Sequence, residues 1–261
     1  MKKYLKESIE LANNFDYLDR LYAVYPISHN LRRNIPKITL DKLEHAYNSQ
    51  DNLLLLKEAL KLNLFPLKDS YVAFLRKDEK FIEQNPKTVD RLAGSMYELG
   101  WDKFLNNITE PKESNRQMGS AFREWIKKKP LGILPVKKDK FLKDNSNAVL
   151  DCSDDEAKNF ALNEFGYDRN KGLDFVARFN GKYIIGEAKF LTDHGGHQNA
   201  QFEDAISTLN TKVNNATTIA ILDGVLYIEG QNKLFQSLNQ EYKDTNIIST
   251  LLLRKFCYSF T

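Results

Sequence analysis

A chain of 261 residues can bury a sizeable core and fits one large or two small domains. Hydrophobic residues at 42% and aromatics at 11% exclude general disorder, and no stretch approaches the roughly 20 apolar residues that a membrane span needs. The formal charge of +3 is too small to announce a nucleic-acid partner by itself, so the distribution of charge says more than its total.

The N-terminus, Met1-Lys2-Lys3-Tyr4-Leu5-Lys6-Glu7, lacks the apolar core of a signal peptide. Two cysteines, Cys152 and Cys257, with no CxxC, read as reduced thiols in a cytoplasmic protein. From Met1 to about Ile108 the pattern is helical: Leu5, Ile9 and Leu11 open it, Leu18, Leu21 and Tyr22 continue it, and the apolar run from Leu53 to Leu64 suits a helix inside a bundle. Thr88 to Leu99 reads as another helix, ended by Gly100. His29 and His45 are isolated and read as structural or surface residues. The best boundary is Glu110-Pro111-Lys112-Glu113-Ser114, which divides an all-helical N-terminal subdomain, 1–112, from a core, 113–261.

After the boundary, a helix from about Ser114 to Lys128 places Met118, Phe122, Trp125 and Ile126 on one stripe. Arg116 and Gln117 near its start can reach DNA. Seven lysines lie between Lys127 and Lys143 against one acid, Asp139; Lys127, Lys128 and Lys129 head the run, which suits either a solvated face or phosphate contacts. Pro130 to Pro135 is a connector, followed by short strands expected near Lys140 to Leu142 and at Ala148 to Leu150. Ser153-Asp154-Asp155-Glu156 fits a capping box that starts a helix burying Ala157, Phe160, Ala161 and Phe165.

The stretch Leu173 to Phe190 carries the chemistry. Two strand-like runs, Leu173 to Phe179 and Lys182 to Phe190, flank Asn180-Gly181, a strong signal for a two-residue type I′ turn. That turn sets Phe179 opposite Lys182, and therefore Asp174 opposite Glu187, each five residues farther from the turn. Facing Cβ atoms stand roughly 5 Å apart, so the two carboxylates repel unless a cation lies between them. Lys189 shares the face of Glu187. Glu187 and Lys189 interrupt an otherwise apolar strand, where unpaired charge is expensive. Two carboxylates that hold Mg²⁺ beside an ammonium suit phosphodiester hydrolysis.

Asp174 followed by Glu187-Ala188-Lys189 resembles the PD-(D/E)XK nuclease signature, with Leu173 where the pattern's proline often stands. The continuation to Phe202, with Gly195-Gly196 and Gln198, is similar to the restriction-endonuclease branch of that superfamily, as is Arg116-Gln117-Met118-Gly119 before the Trp125 helix. The resemblance implies an α/β fold, a mixed central sheet flanked by helices in a restriction-endonuclease-like core. It also implies a Mg²⁺-dependent type II enzyme that cleaves double-stranded DNA at a short specific site, with Asp174, Glu187 and Lys189 as catalytic residues. Palindromic sites favour two-fold dimers, so a homodimer is expected. Some members carry an extra acid on the preceding helix; Glu156 or Asp155 fits that metal-assisting role, and Glu156 fits capping as well.

In the segment after Lys189, Asp193, His194 and His197 suggest a zinc site, but zinc usually needs three or four ligands and no Cys supports these, so two other readings are better. Gly195 and Gly196 allow close approach of a phosphate. The next helix buries Phe202, Ala205, Ile206 and Leu209, which leaves Gln198, Asn199 and Gln201 at its exposed start, able to reach an adenine edge. Thr217 to Leu222 and Val225 to Ile228 read as strands around Asp223-Gly224, and Asn246 to Ile248 as a last strand. Two other functions stay open: a repair or junction nuclease of the same superfamily, and a non-catalytic DNA-binding module on a nuclease fold. No GxxxxGK[ST] or GxGxxG loop supports an enzyme of small phosphorylated substrates.

Overall fold

The computed structural model describes residues 1–27, 32–111, 114–193, 195–230 and 232–260. His29, His194 and the side chains of Arg116, Gln117 and His197 lie outside the described residues.

The chain forms two compact units, one of residues 1–27 and 113–261 and the other of residues 28–112. The second unit contains only helices among its described residues: α3 (Lys37–Asn48), α4 (Asn52–Leu60), α5 (Val72–Leu75), α6 (Lys80–Glu83), α7 (Pro86–Leu99) and α8 (Trp101–Thr109). Leu43, Leu55, Leu56, Leu92, Met96 and Phe104 make its core.

The first unit is built on a six-stranded sheet whose spatial order follows the sequence. Its strands are β1 (Pro135–Val136), β2 (Ala148–Leu150), β3 (Phe175–Phe179), β4 (Lys182–Leu191), β5 (Ala216–Gly224) and β6 (Ile247–Ile248). β2, β3 and β4 pair antiparallel in turn, whereas β1–β2, β4–β5 and β5–β6 are parallel, so the sheet is mixed. Helices α1 (Lys3–Ala12), α2 (Tyr17–Val24), α9 (Ser114–Lys127), α10 (Lys138–Lys143), α11 (Asp154–Phe165), α12 (Gly196–Leu209), α13 (Lys233–Gln240) and α14 (Leu253–Cys257) surround it. Strand alternation sends Phe175, Ala177, Phe179 and Ile184 to one face, against α2, α9 and α14. Val176 and Ile185 go to the other, against α11. Cys152 and Cys257 are both free. No described helix is long and apolar enough to cross a membrane.

Three expectations are corrected. Residues 140–142 are helical, part of α10, because Phe141 turns inward onto Phe160 and the buried Arg178. Residues 225–227 form a 3-10 turn rather than the second arm of a hairpin. β5 is already paired on both edges, by β4 and β6, so a returning strand has nowhere to bond. The chain also divides in two places instead of one, since residues 1–27 pack with the sheet. Leu5 and Ile9 of α1 join Leu222, Tyr227 and Ile247, and Tyr17, Leu21 and Val24 of α2 join Phe122 and Ile126 of α9.

A buried carboxylate fastens that N-terminal segment. Asp223 is fully buried and accepts from the Tyr25 hydroxyl at 2.9 Å, the Ser249 hydroxyl at 2.5 Å and the Thr250 backbone N–H at 3.2 Å. Burial pushes its pKa up to about 6, and the hydrogen bonds from Ser249, Thr250 and Tyr25 oppose that rise. A carboxyl that keeps its proton in the fold but loses it in the unfolded chain makes stability fall as pH climbs from the unfolded pKa through the folded one. Asp223→Asn removes that fall. Between pH 4 and pH 7 the stability difference should therefore move towards the variant by about 2 kcal/mol, read by denaturant unfolding at each pH; a constant difference would contradict the buried, raised carboxyl.

Candidate active site

At the turn between β3 and β4, Asn180 and Gly181 both have positive φ, 50° and 75°, as a type I′ turn requires. Phe179 pairs with Lys182 and the register runs back to Phe175 opposite Gly186. One step farther, the Asp174 N–H donates to the Gly186 carbonyl at 3.2 Å, which brings Asp174 level with Glu187. The neighbouring Leu173 is buried with Phe160 and Val176, a packing role for the residue at that position.

Asp174 Oδ2 accepts from the Ala188 N–H at 3.0 Å and lies 3.8 Å from Lys189 Nζ. Lys189 also hydrogen-bonds Glu187 Oε1, so both acids converge on one ammonium. Glu187 is only 2% exposed, and its Oε2 is buried with no hydrogen-bond partner. Burial raises the pKa of Asp174, with Lys189 opposing; burial and then the Asp174 charge raise that of Glu187, again with Lys189 opposing. Arg123 of α9 bridges Asp154, at 2.8 Å, and Asp174, at 3.7 Å. Lys171 stands 3.8 Å from Glu187 Oε1. These groups line a cleft of about 550 Å³, together with Asp155, Gln201 and Asp204.

A family model described as Tsp45I type II restriction enzyme matches residues 2–260. The chain belongs to this family. No curated protein and no solved structure matches it. The match spans both compact units, so the helical unit is part of the restriction enzyme and not an unrelated attachment. Membership of a restriction-enzyme family implies DNA as the substrate.

In this restriction enzyme the remaining sequence candidates separate by geometry. Glu156 caps α11: the Ser153 backbone N–H donates to Glu156 Oε2 at 2.7 Å, and Ser153 Oγ accepts from the Glu156 N–H at 3.4 Å. Hydrogen bonding from Ser153 lowers the Glu156 pKa. Glu156 lines a separate hollow with Lys137, Asp151 and Cys152, away from Asp174 and Glu187. The acids of α11 that line the cleft are Asp154 and Asp155.

The exposure expected of Gln198 is corrected. It is buried, its Nε2 donates to Thr192 Oγ1 at 3.1 Å and its Oε1 accepts from the Thr192 N–H at 3.3 Å, so both ends of the amide tie α12 to the residue that follows β4. Asn199 is half-buried, and Gln201 reaches the cleft. Gly195 and Gly196 are exposed at the start of α12, and a Cβ at Gly196 would meet nothing within 4 Å. Lys127, Lys128 and Lys129 are exposed, with Lys127 held 2.8 Å from Glu124. Among the described residues no group of three or more His, Cys, Asp or Glu is arranged as a metal cage.

Lys171, Arg123 and Asp204 are absent from the sequence reading of the site, and Asp154 is read only within the capping box. Each comes from a different element, and no local spacing joins them. Gln198 now has a structural task. Gln198→Ala should lower stability by about 1–2 kcal/mol through the lost hydrogen bonds to Thr192, seen in thermal unfolding, and leave the set of DNA fragments unchanged. A changed fragment pattern would return Gln198 to the base-reading residues.

Proposed function

We propose that this type II restriction enzyme hydrolyses double-stranded DNA at a short specific site with Mg²⁺ held by Asp174 and Glu187, in the PD-(D/E)XK manner, and that it works as a homodimer. The observation that carries this reading is the buried, partnerless Glu187 Oε2 beside Asp174. An unsatisfied buried carboxylate oxygen is costly, and a hard cation is the ligand that it suits. Mg²⁺ commonly takes only one or two protein carboxylates and fills its other positions with water and phosphate oxygens, so a full protein cage is not needed. The charge of the cleft agrees: Arg123, Lys171 and Lys189 face five carboxylates, those of Asp154, Asp155, Asp174, Glu187 and Asp204.

When bound, the ion supplies charge neutralisation at the phosphoryl group and a lowered pKa for water. Lys189 orients the attacking water and stabilises negative charge on the phosphoryl oxygens. The water oxygen forms a bond to phosphorus, one P–O ester bond breaks, and the departing oxygen takes up a proton. Lys127, Lys128 and Lys129 bind backbone phosphates on the exposed end of α9, and Asn199 and Gln201 approach the DNA from α12. With one site in each chain, cutting both strands of a two-fold symmetric sequence calls for two copies.

Digestion of a plasmid of known sequence with Mg²⁺ should yield discrete fragments that map to one recurring sequence, and EDTA should stop the reaction. Asp174→Asn and Glu187→Gln should each slow cleavage by on the order of 10²- to 10³-fold or more, while cognate DNA binding without metal stays within a few-fold, about what removal of a residue with no DNA contact gives. Parental rates in Asp174→Asn, or cleavage that persists in EDTA, would overturn the reading.

A further inference from the structure

Glu187 has two ammonium neighbours, and only Lys189 belongs to its own strand. The other, Lys171, comes from the loop between α11 and β3. That loop is pinned on the start of α11: the Leu173 N–H donates to the Asp154 carbonyl at 3.3 Å, and a Cβ on Gly172 would stand 2.5 Å from Asp154 Cβ. Glycine at 172 is thus what lets Lys171 reach the cleft.

Lys171 is then held from the far side. Its Nζ hydrogen-bonds Asp204 Oδ2 on α12. Arg169 braces that carboxylate, with Nη2 at 3.4 Å from Asp204 Oδ1. Arg169 Nη1 is itself fixed by the Asp204 carbonyl at 3.1 Å and by the buried Thr208 hydroxyl at 2.6 Å. A line of alternating charge, Arg169, Asp204, Lys171, Glu187, therefore leads into the cleft, which the last three line. Half-exposed ion pairs add little to stability, whereas an ammonium fixed beside a reacting phosphoryl group acts strongly on the transition state.

We propose that Lys171 is a further catalytic residue of DNA cleavage, which contacts the phosphoryl group as negative charge builds on it, and that Asp204 and Arg169 are positioning residues that hold Lys171 there. The proposal rests on the reading of Asp174 and Glu187 as the metal site. Lys171 forms no covalent bond and gives up no proton; it acts by charge alone.

The test compares Lys171→Met, Lys171→Arg and Asp204→Asn with the parent and with Glu187→Gln. Three quantities are measured: single-turnover cleavage at saturating enzyme, cognate DNA binding without divalent metal, and Mn²⁺ binding without DNA. Lys171→Met should cleave about 100-fold more slowly and bind DNA within about threefold of the parent, as expected for an interaction made mainly in the transition state. It should also bind Mn²⁺ about two- to tenfold more tightly, because a positive charge near the ion is gone. Lys171→Arg, which keeps the charge, should recover at least about tenfold of the lost rate, and Asp204→Asn should lose about tenfold with DNA binding kept.

Cleavage by Lys171→Met within about threefold of the parent, or loss of Mn²⁺ and DNA binding together with cleavage, would overturn the proposal. So would an inactive Lys171→Arg of parental thermal stability, a result that decides the matter if Lys171→Met does not fold. An inactive Glu187→Gln beside a fully active Lys171→Met refutes the role of Lys171 alone, whereas an active Glu187→Gln refutes the metal site on which it rests.

Discussion

The pairing of β3 with β4 through the Asn180-Gly181 turn is the constraint on which the site depends. Side chains on a strand alternate with a period of two, so a slip of one residue would send Asp174 to the face opposite Glu187 and Lys189. The turn prevents that slip, since its two left-handed residues allow a single register. β4 is then locked from its other side by β5, in parallel register from Tyr183 to Leu191. Glu187 and Lys189 thus stand just past the end of the β3 ladder, on a stretch of β4 that β5 holds in register and where the Ala188 N–H donates to the Asp174 side chain.

Two buried carboxylates in this chain are treated in opposite ways. Asp223 is surrounded by donors from Tyr25, Ser249 and Thr250, so both of its oxygens are satisfied by neutral groups and it serves to dock the N-terminal segment on the sheet. Glu187 has Lys189 and Lys171 on one oxygen and nothing on the other. A second acid, Asp174, stands beside it and raises its pKa further. The first arrangement is complete as it stands. The second carries an unmet charge, which on the proposed reading a divalent cation meets.

What was legible in the sequence followed local rules. Asn180-Gly181 fixes a turn, alternation assigns Asp174, Glu187 and Lys189 to one face, and S-x-x-E starts α11 at Ser153, all without knowledge of distant residues. Glu156 kept two readings open because its sequence cannot show that Lys137 and Asp151, rather than Asp174, surround its carboxylate. Gln198 follows two glycines and resembles free polar surface, yet both ends of its amide are spent on Thr192. The apolar stripes of α1 and α2 announce burial without naming the partner, so their docking on the sheet unit was hidden. Lys171, Arg123 and Asp204 meet at the cleft only through tertiary packing of three separate elements.

The central claim is that Asp174 and Glu187 together form a divalent-cation site. Anomalous diffraction from a crystal soaked with Mn²⁺ tests it most directly, with the Glu187→Gln protein as control. The account predicts a peak within bonding distance of carboxylate oxygens of both Asp174 and Glu187 in the parent, lost in the variant. A parent crystal with no peak there, or a variant that keeps the peak unchanged, would contradict it.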